Sequence, residues 1–130
     1  MSHFTTIKTQ IKDKDILLEA LEILQIDVKE NQELVINNPR HAENHPVQMA
    51  DICFAKDAGF RYNEDKGVYE LVADITTWQQ TLPPLRFIEK ITQQYARMSV
   101  HRTIKDLGYQ VKEEWEMEDN SIEIYANVWN

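Results

Sequence analysis

The sequence predicts an α+β fold: an antiparallel sheet with two helices packed on one face. Three observations predict it. Several segments alternate apolar and polar residues, as half-buried strands do. Residues 13–25 and 85–107 instead repeat apolar residues every three or four positions, as helices do. The resulting order of elements, β-α-β-β-β-α-β-β, favours a ferredoxin-like plait with extra strands.

Composition bounds the class of protein. The chain has 130 residues, enough for one domain with a real core, so residues 1–130 are predicted to form a single domain. Its formal net charge of −8 disfavours general binding to nucleic acids or to anionic membranes, because both carry negative charge. No apolar stretch approaches the ~20 residues that cross a bilayer, so we expect no membrane span.

Cysteine usage and the first residues indicate the compartment. The single cysteine, Cys53, cannot form an internal disulfide, which favours a reducing environment. It lies in the apolar run ADICFAK, where a buried thiol is more common than a reactive one. The first fifteen residues lack the apolar core of a signal peptide. We therefore expect a soluble, intracellular protein.

The first half of the chain predicts a strand, a helix and further strands. Residues 2–11 alternate and are rich in β-branched side chains, which is typical of a strand. Asp13 suits the N-cap of the first helix, whose apolar face comprises Ile16, Leu17, Ala20, Leu21 and Leu24. Residues 26–37 indicate a strand interrupted by a polar turn, and residues 37–46 indicate a loop.

The centre of the chain predicts a hairpin. The segments QMADICFA and GFRY form one strand or two, and VYELVADI forms the next. The polar turn NEDKG between them ends in Gly67, which we expect to adopt a positive φ.

A long helical segment follows, from Leu85 to Leu107. Pro84 suits its first turn and Gly108 its end. Its apolar residues form two separate stripes: Ile88, Ile91, Tyr95 and Met98, then Ala96, Val100, Ile104 and Leu107. Either one helix packs between two surfaces, or the segment breaks near Met98.

The last segment predicts a hairpin with one buried and one wet face. Alternation places Val111, Glu113, Trp115 and Met117 on one side, and Ile122, Ile124, Ala126 and Val128 on one side of the next strand. Trp115 is accordingly expected in the core.

Three stretches together resemble a known family. They are MSHFTTIKTQIKDKDILLEALE, GFRYNEDKGVYELVAD and QQYARMSVHRTIKDLGYQV, the last followed by the final hairpin. In this order they are similar to the hypothetical chloroplast reading frame 35 family, a domain of unknown function. The resemblance implies a cyanobacterial cytoplasm or a plastid stroma. It supplies no catalytic residues, and it suggests an AAA-type ATPase as a partner.

Two sets of residues are candidates for chemistry. His41 and His45 are four residues apart, as zinc ligands on a helix can be, but Pro39 and Pro46 bracket them and solvated side chains are the more common case. Asp51 and Asp74 stand among apolar strand residues. They could share a proton across one sheet face, although such residues more often accept hydrogen bonds at strand ends.

Other residues are candidates for binding a partner. Arg86, Lys90, Arg97 and His101 fall within a narrow arc of the long helix and form a basic stripe, which alternatively is a solvated face. Trp78, in a polar loop, and Trp129, next to the last residue, are expected to be exposed.

Three functions remain open at this point. The leading hypothesis is a non-enzymatic binding or adaptor protein that acts through protein contacts, because no catalytic or phosphate-binding motif occurs and three glycines cannot supply one. A homo-oligomer is compatible with it, and no cofactor is expected. The alternatives are a ligand-binding or enzymatic pocket that uses Asp51, Asp74 or His101, and a nucleotide or RNA regulator that uses the basic stripe.

Overall fold

The computed structural model describes residues 4–35, 48–119 and 121–128. The strands are β1 (Phe4–Lys8), β2 (Lys29–Leu34), β3 (Gln48–Ala55), β4 (Ala58–Asn63), β5 (Val68–Asp74), β6 (Tyr109–Glu116) and β7 (Ile122–Val128). The helices are α1 (Lys14–Ile23), α2 (Pro84–Asp106) and one 3₁₀ turn (Ile75–Thr77). The predicted α+β class is therefore confirmed.

The sheet differs from the plait that the element order favours. Its five strands are antiparallel neighbours in the order β1-β5-β4-β3-β2, so β2 to β5 form a meander and β1 pairs with β5. After α2 the chain forms a separate two-stranded sheet, β6-β7, instead of returning a strand to the main sheet. The ferredoxin-like plait is therefore not confirmed, because its second βαβ unit would return that strand.

The core lies between the main sheet and the two helices. Ile52, Phe60 and Leu71 are register partners on three neighbouring strands and are fully buried. They form one cluster with Leu17 and Leu21 of α1 and with Phe87 and Ile91 of α2. Burial of each large apolar side chain contributes about 1.5–3 kcal/mol. Both helices thus pack on one face, as the sequence predicts.

Several local predictions are confirmed. The Asp13 carboxylate caps α1 by accepting a hydrogen bond from the Ile16 N–H at 3.1 Å. Gly67 has a φ of 68° in the β4–β5 turn, a conformation that favours glycine. The long segment is one helix, with Pro84 in its first turn and Gly108 beyond its end at a φ of 82°.

Cys53 is buried, as expected. Burial raises the pKa of its thiol, because the thiolate loses its hydration. The neutral thiol is favoured, so Cys53 acts as a small apolar side chain of the sheet.

The faces of the terminal hairpin differ from the prediction. A register shift between Val111 and Glu113 inserts one extra residue into β6, and such a bulge moves every later side chain to the opposite face. Glu114 consequently points toward α2, where it contacts Arg97. The prediction that Trp115 belongs to the core is wrong, since 42% of this residue is exposed.

Tyr95 joins α2 to the start of α1. Its hydroxyl oxygen accepts hydrogen bonds from the backbone N–H groups of Lys12 at 3.2 Å and Asp13 at 2.9 Å. These groups lie just before α1, where no intrahelical acceptor is available. Tyr95 therefore links the two helices, together with the Arg102–Glu19 ion pair at 3.1 Å.

We expect Tyr95→Phe to lower the free energy of unfolding by about 1 kcal/mol, because two backbone donors lose their acceptor. Urea denaturation measures the change. Tyr109→Phe is the matched control, since Tyr109 is exposed and removal of its hydroxyl should be nearly neutral. Equal effects of the two substitutions would contradict this role of Tyr95.

Candidate binding surface of the terminal hairpin

The hairpin is attached to α2 through one carboxylate. Glu114 on β6 accepts hydrogen bonds from the Arg97 guanidinium, through Nε and through Nη2, the latter at 3.2 Å. The His101 Nε2 lies 3.0 Å from Oε2, the same carboxylate oxygen that accepts the hydrogen bond from Arg97 Nη2. Arg97 and His101 are four residues apart on α2, so both side chains project from one helix face. A second contact joins the Gln93 amide to Glu116 at 3.4 Å.

The charge of Glu114 depends on these neighbours. Hydrogen bonding to Arg97 is the main cause that lowers the pKa of Glu114; partial burial acts against it, and His101 lowers it further. Glu114 is therefore ionised at neutral pH and can hold both basic side chains. The clamp, formed by Arg97, His101 and Glu114, fixes the hairpin on the helix.

The other side of the hairpin presents two aromatic rings to solvent. Trp115 and Tyr125 stack with their ring centroids 5.0 Å apart and their planes 30° from parallel. They are 42% and 51% exposed. The register pairs Trp115 with Glu123 and Tyr125 with Glu113, so each ring stands opposite a carboxylate. These four residues are called the aromatic face.

The aromatic face is held in one arrangement. The Tyr125 hydroxyl donates a hydrogen bond to Glu123 at 3.2 Å. The negative charge of Glu123 raises the pKa of Tyr125 and Glu113 adds to this effect, so the hydroxyl keeps its proton. At the tip, the Asp119 carboxylate accepts hydrogen bonds from the Ser121 N–H at 3.0 Å and from its hydroxyl at 2.5 Å. The stacking contact and the hydrogen bond to Glu123 thus both constrain the Tyr125 ring.

The hairpin is also the most acidic part of the chain. Residues 109–128 contain six carboxylates and one lysine, in a chain of net charge −8. The clamp neutralises the carboxylate of Glu114. In the part of the chain that the structure describes, neither Glu113 nor Glu123 forms an ion pair.

The predicted basic stripe is divided by this arrangement. Arg97 and His101 contact Glu114 within the chain. Arg86 is exposed and lies 3.6 Å from Glu89 of its own helix. Lys90 is also exposed. The stripe therefore offers two solvent-facing cations near the start of α2, while its other two residues, Arg97 and His101, contact Glu114.

The two tryptophans predicted to be exposed have different outcomes. Trp78 packs edge-on against Phe87 at 5.2 Å and Phe54 at 5.9 Å. Its indole N–H donates a hydrogen bond to the Leu82 carbonyl at 2.7 Å. It is half-buried at the border of the core, which corrects the expectation of an exposed ring. Trp129 lies outside the described residues.

The candidate pocket residues lie on separate elements. Asp51 on β3 accepts a hydrogen bond from the Tyr62 N–H of β4 at 2.6 Å. Asp74, at the end of β5, is fully buried and accepts hydrogen bonds from the Thr76 N–H at 3.0 Å and from its hydroxyl at 2.6 Å. Both interactions are those of strand residues that satisfy backbone donors.

The two best-formed grooves among the described residues are lined by neither Asp51 nor Asp74. The larger, of about 1070 Å³, lies between α1, the end of α2 and the start of β6, and includes His101. The smaller, of about 390 Å³, lies along β2 and β3. Among the described residues, no cluster of three or more His, Cys, Asp or Glu could hold a metal. His41 and His45 lie outside the described residues.

Comparison with known proteins identifies the family. Residues 20–125 match the model of a family described as a protein of unknown function, DUF1257. The chain belongs to this family. The resemblance to the chloroplast reading frame 35 family is thereby confirmed, because the similar curated proteins carry that name.

Two relatives span nearly the whole chain. An uncharacterized protein ycf35 of Pyropia yezoensis is 31% identical over 100% of this chain and 99% of its own length. An uncharacterized protein ycf35 of Guillardia theta is 34% identical over 99% of this chain and 98% of its own length. No solved structure gives a significant match. Within the described residues, no helix is long and apolar enough to cross a membrane.

Sequence reasoning missed the aromatic face because it assumed an unbroken alternation in β6. The signal was present in Lys112, Glu113 and Glu114, three consecutive charged residues that cannot all share the wet face of a regular strand. A bulge among them is one solution.

We expect the clamp to weaken in acid. The pKa of Glu114 in the folded chain lies below its ordinary value of 4.5. The stability that the clamp contributes is therefore complete above that value and is lost as the pH falls through the lower folded pKa. Amide hydrogen exchange of β6 and β7, followed by NMR against pH, should show local opening in this acid range.

Glu114→Gln should lower the local stability of the hairpin by about 1 kcal/mol, so its amide hydrogens should exchange faster already at neutral pH. The same substitution should remove the acid step, that is, the additional opening on acidification. Glu118→Gln is the matched control, since Glu118 is exposed beyond the end of β6. An acid step that survives unchanged in Glu114→Gln would refute the assignment to this carboxylate.

Proposed function

We propose that this chain is a non-enzymatic protein-binding module whose contact surface is the aromatic face. The observation that carries the proposal is the exposed, stacked pair of Trp115 and Tyr125 on the outer side of the hairpin. Trp and Tyr are the residues most enriched at the energetic centres of protein interfaces. An exposed pair at the surface of a domain is accordingly a strong marker of a protein contact.

The rigidity of the pair supports binding. Ordering a flexible side chain at an interface costs about 0.5–1.5 kcal/mol. Here the stacking of the two rings, the hydrogen bond from Tyr125 to Glu123 and the clamp behind the strand have already restricted the side chains. A partner would therefore bind a surface that needs little rearrangement.

The alternative functions have less support. A catalytic pocket needs its acid and base within hydrogen-bond reach of one substrate, whereas the groove that includes His101 is lined by neither Asp51 nor Asp74. An RNA or nucleotide regulator needs free cations, and two of the four stripe residues are engaged by Glu114. Arg86 and Lys90 remain candidates for steering an acidic region of a partner.

The family resemblance suggests where to look for the partner. We propose that the protein acts in a cyanobacterial cytoplasm or a plastid stroma, as the resemblance implies. An AAA-type ATPase is the first candidate partner there, and self-association is the second.

Site-specific photo-crosslinking tests the proposal. A photoreactive residue at Met117, which continues the alternation of the aromatic face, should capture one defined protein in the source cell. The same probe at Glu64, in the exposed β4–β5 turn, should not. Trp115→Ala with Tyr125→Ala should abolish the crosslink, because the shared apolar contact is lost.

The double variant must retain the circular dichroism spectrum of the parent chain for this comparison. An identical set of crosslinks from both probe positions, or a crosslink that survives loss of both rings, would refute the proposed contact surface.

A further inference from the structure

The aromatic face combines two features that each favour a cation. The faces of the Trp115 and Tyr125 rings attract positive charge through their quadrupoles. Glu113 and Glu123 stand directly opposite these rings in the register, so a negative charge borders each one. We infer that the aromatic face binds an arginine-containing basic segment of a partner protein. The inference rests on the proposed function and names the chemistry of its partner.

Among the described residues, neither carboxylate of the aromatic face forms an ion pair, although Lys112 precedes Glu113 in the chain. On α2, Arg97 and His101 contact Glu114, which lies on the opposite face of the hairpin. Within the described residues, the hydrogen bond from Tyr125 to Glu123 satisfies part of one outer carboxylate, and it carries no positive charge. Glu113 and Glu123 occupy diagonal positions, roughly 7–8 Å apart in such a pair of strands. A cation between them would reduce their mutual repulsion.

Arginine fits this surface better than lysine. A guanidinium is planar, so it can stack on Trp115 while its N–H groups reach a neighbouring carboxylate. Two parallel N–H donors can also form a bidentate pair with one carboxylate. The ammonium of lysine is more strongly hydrated and lacks a flat face.

The charge of the whole chain selects the class of partner. The hairpin's six carboxylates and one lysine give it a net charge of −5 in a chain of net charge −8, which accelerates encounter with basic proteins. The same field repels nucleic acids and anionic lipid head groups. A basic protein segment is therefore the occupant that this surface favours.

Peptide binding tests the inference. The probe is a fluorescent, otherwise neutral Gly/Ser peptide with two arginines at alternate positions. Matched peptides carry lysine or glutamine instead, and fluorescence anisotropy measures the affinity of the full chain for each. We expect the arginine peptide to bind at least threefold more tightly than the lysine peptide, and the glutamine peptide not to bind.

Variants of the chain locate the site. Trp115→Ala should weaken binding of the arginine peptide at least tenfold, and Trp115→Phe should weaken it less because a ring remains. Glu113→Gln with Glu123→Gln should weaken it by a similar factor and flatten its dependence on salt. Glu64→Gln with Asp65→Asn, the same change of charge in the β4–β5 turn, should alter the affinity less than twofold.

Two outcomes would overturn the inference. Equal affinity for arginine and lysine peptides, with no effect of Trp115→Ala, would show attraction to net charge alone. An equal loss of affinity in the aromatic-face double variant and in the β4–β5 turn double variant would show that Glu113 and Glu123 contribute only to net charge. Neither outcome affects the crosslinking test. If the crosslink at Met117 is specific while the peptides do not discriminate, the proposed function stands and arginine recognition fails.

Discussion

The continuity of α2 is the constraint on which the rest of this structure depends. Its 23 residues extend over roughly 34 Å. Phe87 and Ile91, in its first half, are buried against the main sheet. Arg97 and His101, in its second half, hold the hairpin through Glu114. The two apolar stripes also differ, because Ile91 of the first is in the core while Val100 and Leu107 of the second are exposed. A break near Met98 would separate the hairpin from the core.

The hairpin needs this attachment because two strands alone are marginally stable in water. One face of the hairpin consequently packs against α2, and the position of the bulge determines which face this is. With an extra residue after Val111, Glu114 meets the cations of the helix and Trp115 meets solvent. A regular β6 would bury Trp115 and expose Glu114, leaving Arg97 without its partner. The exposure of the rings is thus coupled to the satisfaction of the helix charges.

Local signals in the sequence predicted the elements well. Pro84, Gly108, Gly67 and the Asp13 cap each act through a conformation or hydrogen bond within a few residues, so neighbouring residues suffice to identify them. The strand order was harder to predict. Strand β1 pairs with β5 across more than sixty residues, and no local pattern in the sequence specifies that partner. The orientation of β6 was predicted wrongly for a third reason. A one-residue bulge reverses a face without changing the composition of the strand.

Carboxylates on the two faces of the hairpin have different surroundings. The carboxylate of Glu114 is half-buried and contacts Arg97 and His101 of its own chain, so its contribution is to stability. The carboxylates of Glu113 and Glu123 are exposed beside aromatic rings and form no ion pair among the described residues, so they remain available to an external cation. Removal of Glu114 would therefore disturb the aromatic face by releasing the strand, while removal of Glu113 would leave the strand in place. The attachment to α2 and the proposed contact surface lie on opposite faces of one strand, and substitutions can separate them.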